Sequence, residues 1–193
     1  MREETVKDMP RIERFFLDDD VYDMGGGYNP ITPQMVGGRK VYVVDYLPHT
    51  NVDVVDDLQS LSKIEDNSIP NIFCADVIEH IENPWLAISH FHRVLKPQGV
   101  LFLTAPFIWH LHGHELEKDN WKSRIDFWRF TPAALGLLCH KYFEDIECDW
   151  DRDPPLGPQN TPLWRVGAHY IGKNLKEPRQ QESVPQTPQS ESW

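Results

Sequence analysis

The chain is expected to fold as a single α/β domain around a mostly parallel sheet. Three observations carry that expectation. Short β-branched runs alternate with segments of helical apolar spacing, the pattern of parallel strands joined by crossovers. A glycine triplet and several acids stand where those strands end, and open α/β sheets bind their ligands beyond the carboxyl ends of the strands. The length, 193 residues, suits one core rather than two.

Taken in order, Val21 to Met24 is a brief apolar strand that runs into Gly25-Gly26-Gly27. Lys40 to Asp45 (KVYVVD) is strongly β-branched and reads as a buried strand, and Val52 to Val55 as a third, shorter one. Only Tyr28 to Arg39 separates the first two strands, and Pro30, Pro33 and Gly37-Gly38 fall within it. A crossover needs about a dozen residues, so the first helix should shrink to a turn or so. Asn71 to Ala75 is the fourth strand. Asn83 then Pro84 opens a helix, Asn as cap and Pro at the first helical position. Trp85, Ile88, Phe91, Val94 and Leu95 follow at helical spacing, with a stop near Lys96-Pro97. Val100 to Thr104 is the fifth strand, and Thr131-Pro132 opens a helix carrying Leu135, Leu138 and Cys139. Asp145 to Trp150 and Arg165 to Ile171 close the domain. From Lys176 to Trp193 the chain is rich in Pro, Gln, Ser and Glu, so residues 1–175 are read as the domain and 176–193 as a flexible tail.

Composition narrows the function. A net charge of -11 argues against a nucleic-acid backbone as the main partner. Cys74, Cys139 and Cys148 show neither CxxC pairing nor metal spacing, which suits reduced thiols. The opening MREETVKDMP is charged, and the most apolar run, Val100 to Trp109, is too short to cross a bilayer. The expectation is a cytoplasmic protein acting on a small molecule, with no nucleic-acid or membrane partner.

Three strand-end features together read as a nucleoside site. Asp23-Met24-Gly25-Gly26-Gly27 gives a turn whose backbone can approach a ligand closely. Asp45, with Tyr46 beside it, ends the second strand, where a carboxylate can accept both ribose hydroxyls. Asp56-Asp57-Leu58 follows the third strand, where an acid and a backbone amide can read an adenine edge. Gly27 is followed by Tyr28-Asn29-Pro30, so the third glycine of a nicotinamide fingerprint is missing, and an NAD-dependent oxidoreductase is disfavoured.

The Asp-x-Gly-x-Gly form resembles motif I of class I S-adenosylmethionine-dependent methyltransferases. Asp76 to Pro84 (DVIEHIENP), Arg93 to Gly99 (RVLKPQG) and Leu101 to Pro106 (LFLTAP) resemble the "EH…NP…RVLKPGG…P" run of the small methyltransferases related to ubiquinone and menaquinone biosynthesis enzymes. The resemblance covers roughly Val21 to Leu138. It implies a Rossmann-like three-layer αβα sandwich with a mostly parallel seven-stranded sheet, an antiparallel last strand and, here, a reduced first helix. It implies S-adenosylmethionine as cofactor, with Asp23, Gly25, Gly26 and Gly27 at its methionine part, Asp45 and Tyr46 at the ribose, and Asp57 and Leu58 at the adenine. Ala75 and Asp76 would pass beneath the sulfonium. Pro70 departs from the family, which often has an Asp before the fourth strand.

In methyl transfer the sulfonium already activates the methyl group, so the protein mainly aligns the acceptor and removes its proton. Asp76 and His80 are candidates for that end of the site. Pro106 to Glu115 and Asp126 to Pro132 resemble the "HG…D-[YF]-W-R-[FY]-T-P" segment of part of the family. His112, at the matched HG position, is the first candidate general base. Trp109, His110, His114, Asp126, Trp128 and Arg129 are candidates for the acceptor pocket, although Asp126 and Arg129 can equally pair and pin the loop. His110, His112, His114 and Glu115 also invite a metal reading, but no separate Asp or Cys set completes one, so no metal is expected. The acceptor is expected to be a sugar, a natural-product intermediate or another polar metabolite. The alternative is a non-catalytic protein that binds S-adenosylmethionine or a partner on the same fold.

Overall fold

The computed structural model describes residues 12–27, 29–108, 125–150 and 166–179. Seven strands form one sheet in the order β3-β2-β1-β4-β5-β7-β6. They are β1 (Val21–Met24), β2 (Val41–Asp45), β3 (Val54–Val55), β4 (Ile69–Ala75), β5 (Leu95–Ile108), β6 (Phe143–Trp150) and β7 (Val166–Asn174). Pairings among β1 to β5 are parallel, and β7 runs antiparallel to both β5 and β6. This is the expected doubly wound arrangement with its antiparallel last strand.

Two α-helices stand among the described residues, α1 (Pro84–Val94) and α2 (Pro132–Cys139). Both begin as their sequences predict. The Asn83 carboxamide accepts the Leu86 amide at 3.1 Å, the Thr131 hydroxyl accepts the Ala134 amide at 3.2 Å, and each helix has proline in its first turn. The C-terminal carbonyls of α1 are met from β7, where the Asn174 carboxamide donates to Leu95 O at 2.9 Å and to His92 O at 3.1 Å.

Alternation along the strands divides the core. On one face Ile72, Cys74, Leu101, Leu103 and Tyr170 pack against Ile88, Phe91 and Val94 of α1 and Leu135 and Leu138 of α2. On the other, Val21, Phe73, Phe102 and Ile171 pack against Ile12, Phe16, Ile31 and Val36. Helices were expected over both faces. Among the described residues the second face is covered by single 3-10 turns, Glu13–Phe15 and Pro33–Val36, and by the chain beside them. The Pro- and Gly-rich crossover after β1 leaves room for no more. A buried amide ties that layer down: Asn71 of β4 accepts the Leu17 amide at 2.8 Å and donates to Asp20 O at 3.0 Å.

Several details depart from expectation. The third strand shortens to Val54–Val55, because Asp53 is used as a link: its carboxylate accepts the Val43 amide at 2.8 Å. The first helix stops at Val94, and Leu95 already belongs to β5. Lys96 to Gly99 then form an irregularity between the Ile69–Leu95 and Asn71–Val100 pairs, with Gln98 at φ 66°. Trp85, placed on the apolar stripe by its spacing, is 54% exposed and lies edge-on to Trp128. Past Leu175 the chain stays on the body as far as Arg179, whose amide donates to Lys141 O at 2.8 Å. The remainder of the expected tail lies outside the described residues.

Candidate active site

The glycine turn and Asp45 form one hydrogen-bonded unit at the carboxyl ends of β1 and β2. The Gly25 amide donates to Val44 O at 2.7 Å, which holds the turn on β2. Gly25 has φ +77°, and a Cβ there would lie 2.4 Å from Cγ2 of Val77, so both backbone shape and space call for glycine. Gly26 lies against the Asp23 carboxylate, which is fully buried and accepts the Ile31 amide at 2.9 Å, closing the far side of the loop. The Gly27 amide donates to Oδ2 of Asp45 at 2.9 Å, and Oδ1 accepts the Leu47 amide at 3.0 Å. An ionised carboxylate has about four lone-pair positions, so Asp45 retains capacity for further donors. His49 stands over the same turn, its Cδ2 2.8 Å from where a Gly27 Cβ would be. Nothing in the sequence singles it out. Tyr46 is 52% exposed beside Asp45.

Beyond β3, Asp56 organises its loop: its carboxylate accepts the Asp57 amide at 2.8 Å and the Lys63 amide at 2.7 Å. Asp57 accepts the Gln59 amide at 2.8 Å, and Leu58 is buried. The Arg93 guanidinium closes the loop from below, donating to Leu61 O at 2.9 Å, to Ile64 O at 3.1 Å and to the Asp66 carboxylate. The arginine of the RVLKP run is thus a scaffold residue.

At the end of β4, Ala75 is buried and Asp76 adopts φ 55°, a conformation Asp tolerates better than most residues. Its amide donates to Thr104 O at 3.2 Å, and the Thr104 hydroxyl donates to its Oδ1 at 3.3 Å, which joins the ends of β4 and β5. The 3-10 turn Ile78–His80 follows. Here two separate sequence motifs meet. The amides of Phe127 and Trp128 donate to Glu79 O at 2.8 and 3.2 Å, Trp128 Nε1 donates to Ile81 O at 2.9 Å, and His80 Nδ1 donates to Ile125 O at 3.1 Å. Asp126 Oδ1 lies 3.4 Å from His80 Nδ1, while Oδ2 accepts Arg129 at 2.7 Å. The structure therefore contains the Asp126–Arg129 pair, set directly against His80.

Glu79 is fully buried, and neither carboxylate oxygen has a hydrogen-bond partner among the described residues; Oε1 is 3.7 Å from His80 Nε2. Burial, with Asp76 and Asp126 nearby, pushes its carboxyl well above the usual range, against the opposing pull of Arg129. Glu79, Thr104 and His49 are the functional candidates that sequence reasoning passed over. Glu79 and Thr104 stood inside the quoted motifs and were legible as strand-end polar residues. A further pair, His169 Nε2 and Glu147 Oε1 at 2.8 Å on β7 and β6, stands next to Thr104, which pairs with His169 across the ladder. Trp109, His110, His112 and His114 lie outside the described residues.

Comparison with known proteins gives concordant results. Residues 22–103 match the family described as Methyltransferase domain. The human thiol S-methyltransferase TMT1B is 27% identical over 125 residues, covering 61% of this chain and 48% of that protein. The chain thus spans about half the length of the curated relatives it matches. Among solved structures, the PH0226 protein of Pyrococcus horikoshii OT3 superposes with a TM-score of 0.64 at 15% identity, covering 90% of both chains. A Haemonchus contortus phosphoethanolamine N-methyltransferase 2, in complex with phosphomonomethylethanolamine and S-adenosylhomocysteine, superposes with a TM-score of 0.62 at 18% identity, covering 88% of this chain and 52% of that one. At these identities the structures speak for the fold alone.

Proposed function

We propose that the chain is a class I S-adenosylmethionine-dependent methyltransferase that transfers the methyl group to a small-molecule acceptor by in-line displacement. The observation that carries this reading is the hydrogen bond from Gly27 N to Asp45, which makes the glycine turn and the ribose-reading acid one preformed unit. On this reading Asp23 and Gly25 to Gly27 border the methionine part and Asp45 and Tyr46 the ribose. Asp57 and Leu58 border the adenine, and Ala75 and Asp76 lie under the sulfonium.

The acceptor stands on the β4–β5 side. Asp76 and His80 form its floor, and Asp126, Trp128 and Arg129 its wall. Trp109, His110 and His114, which lie outside the described residues, are assigned to the acceptor from the sequence alone, as is His112 as the base for the proton released when a thiol, hydroxyl or amine is methylated. A thiol is the first acceptor class to examine, because the human relative carries a thiol S-methyltransferase name.

The test has two parts. S-adenosylhomocysteine at one hundred times its Kd should stabilise the fold by about 2.7 kcal/mol, read as a rise in Tm. Asp45→Ala should cost about 1.5–3 kcal/mol of cofactor affinity by calorimetry. No shift with millimolar ligand would overturn the cofactor reading. Labelled methyl transfer from S-adenosylmethionine into small thiols and into fractionated polar metabolites then tests turnover. Cofactor binding with no product in any fraction would leave the chain a binding protein.

A further inference from the structure

We propose that Glu79, His80 and Asp126 bind a divalent transition-metal ion on the acceptor side of β4. One ligand atom from each residue lies within 4.8 Å of the other two. His80 Nε2 is 3.7 Å from Glu79 Oε1, and His80 Nδ1 is 3.4 Å from Asp126 Oδ1. Nδ1 is engaged by Ile125 O, so Nε2 is the ligand nitrogen; its 3.7 Å from Glu79 Oε1 is near the roughly 3.4 Å between two ligands held at roughly 2.0–2.1 Å by a tetrahedral ion, and Asp126 offers its oxygen within the same 4.8 Å cluster. A mixed imidazole and carboxylate set suits zinc or its neighbours in the first row.

Two further observations point the same way. Both oxygens of Glu79 are buried and accept no hydrogen bond from the described residues, a state that is costly for a carboxylate unless a cation or a proton supplies the missing partner. In addition, three carboxylates, Asp76, Glu79 and Asp126, influence one another here, and Arg129 is the guanidinium that opposes them. Arg129 engages Oδ2 of Asp126, while Oδ1 lies on the His80 side. The hydrogen bond from Nδ1 to Ile125 O fixes the His80 ring with Nε2 toward Glu79, the orienting contact that metal-binding histidines generally have. His80 has 19% of its side chain exposed, which provides a path for entry.

With three protein ligands, an open position would face the acceptor and hold its sulfur or oxygen as the anion. That use rests on the methyl-transfer reading; the ion site itself does not.

The test uses the full chain, stripped with chelator and titrated with zinc chloride by calorimetry. One equivalent should bind with a Kd of about 1 µM or tighter. Glu79→Gln and Asp126→Asn should each weaken binding by about tenfold or more, and His80→Gln should remove it. A variant with His110, His112 and His114 changed to Ala should bind zinc as the parent does. S-adenosylhomocysteine affinity, measured without metal, should be the same in all of them and reports separately on the cofactor reading. Imidazole nitrogen spectra of the parent protein give a second readout that needs no variant: zinc should shift the His80 ring. The proposal is overturned by the absence of saturable uptake, by an unmoved His80 ring, or by zinc binding that follows the three loop histidines.

Discussion

Replacing Gly25 by Ala tests the most constrained point of the cofactor turn. The residue sits at φ +77°, where a Cβ costs about 1–2 kcal/mol. That Cβ would also lie 2.4 Å from Cγ2 and 2.8 Å from Cγ1 of Val77, both far inside contact distance. Val77 is partly buried against the core cluster, so relief requires its side chain or the main chain to shift. Overpacking of this kind costs about 1–3 kcal/mol, giving a combined loss of about 2–5 kcal/mol. Urea unfolding at 25 °C should show it as a lower midpoint with an unchanged slope. The two contributions separate in a double-mutant cycle. Val77→Ala deletes both γ carbons and leaves the Cβ at 3.2 Å, so in that background most of the contact part should be lost while the backbone part of about 1–2 kcal/mol remains. A loss below about 0.5 kcal/mol, the scale of ordinary surface substitutions, would refute the reasoning, as would a full loss that persists in the Val77→Ala background.

Two other outcomes concern the scaffold. Asn71→Ala removes the acceptor of the Leu17 amide and the donor to Asp20 O, and should cost about 1–3 kcal/mol in the same assay; proteolysis should then begin in the segment before β1. Burial holds the Cys139 thiol well above its ordinary value and raises Cys148 to a lesser degree, so both should alkylate slowly at pH 8 until denaturant is added. The sign for stability follows from linkage. The folded state keeps its proton after the unfolded thiol, with a pKa of about 8.5, has lost its own, so stability falls as pH rises past that point. Tyr170, also pushed upward by burial, adds to the slope above pH 10. Thermal scans across pH 7–10 should show the decline, and Cys139→Ala should flatten its first part.

The run from Asp76 to Pro106 was the most legible part of the chain, and the structure assigns much of it to scaffolding. Arg93 staples the β3–β4 loop, and the Lys96–Gly99 stretch bends β5, while Asn83 caps α1. These roles recur wherever the fold does, which is why the motif identifies the fold well and the acceptor poorly. The weak helical layer over the second face was half legible. Pro30, Pro33 and the Gly37-Gly38 pair ruled out a full helix after β1, but nothing local told that Asn71 and the chain around Phe16 would cover the face instead.

What the sequence determined by itself was the order of strands and helices, the strand-end positions of Asp23, Asp45 and Asp76, and the helix starts at Asn83 and Thr131. Each follows from local rules: side-chain alternation, backbone freedom at glycine, and caps within three residues. The tertiary structure alone decided that Glu79 and His80 would meet Asp126 and Arg129, that Thr104 would bond Asp76, and that His169 would pair with Glu147. Those contacts join residues far apart in the chain, and they form only when the sheet brings the carboxyl ends of β4, β5 and β7 together. The burial of Glu79, which accepts no hydrogen bond from the described residues, is likewise a property of the packed core.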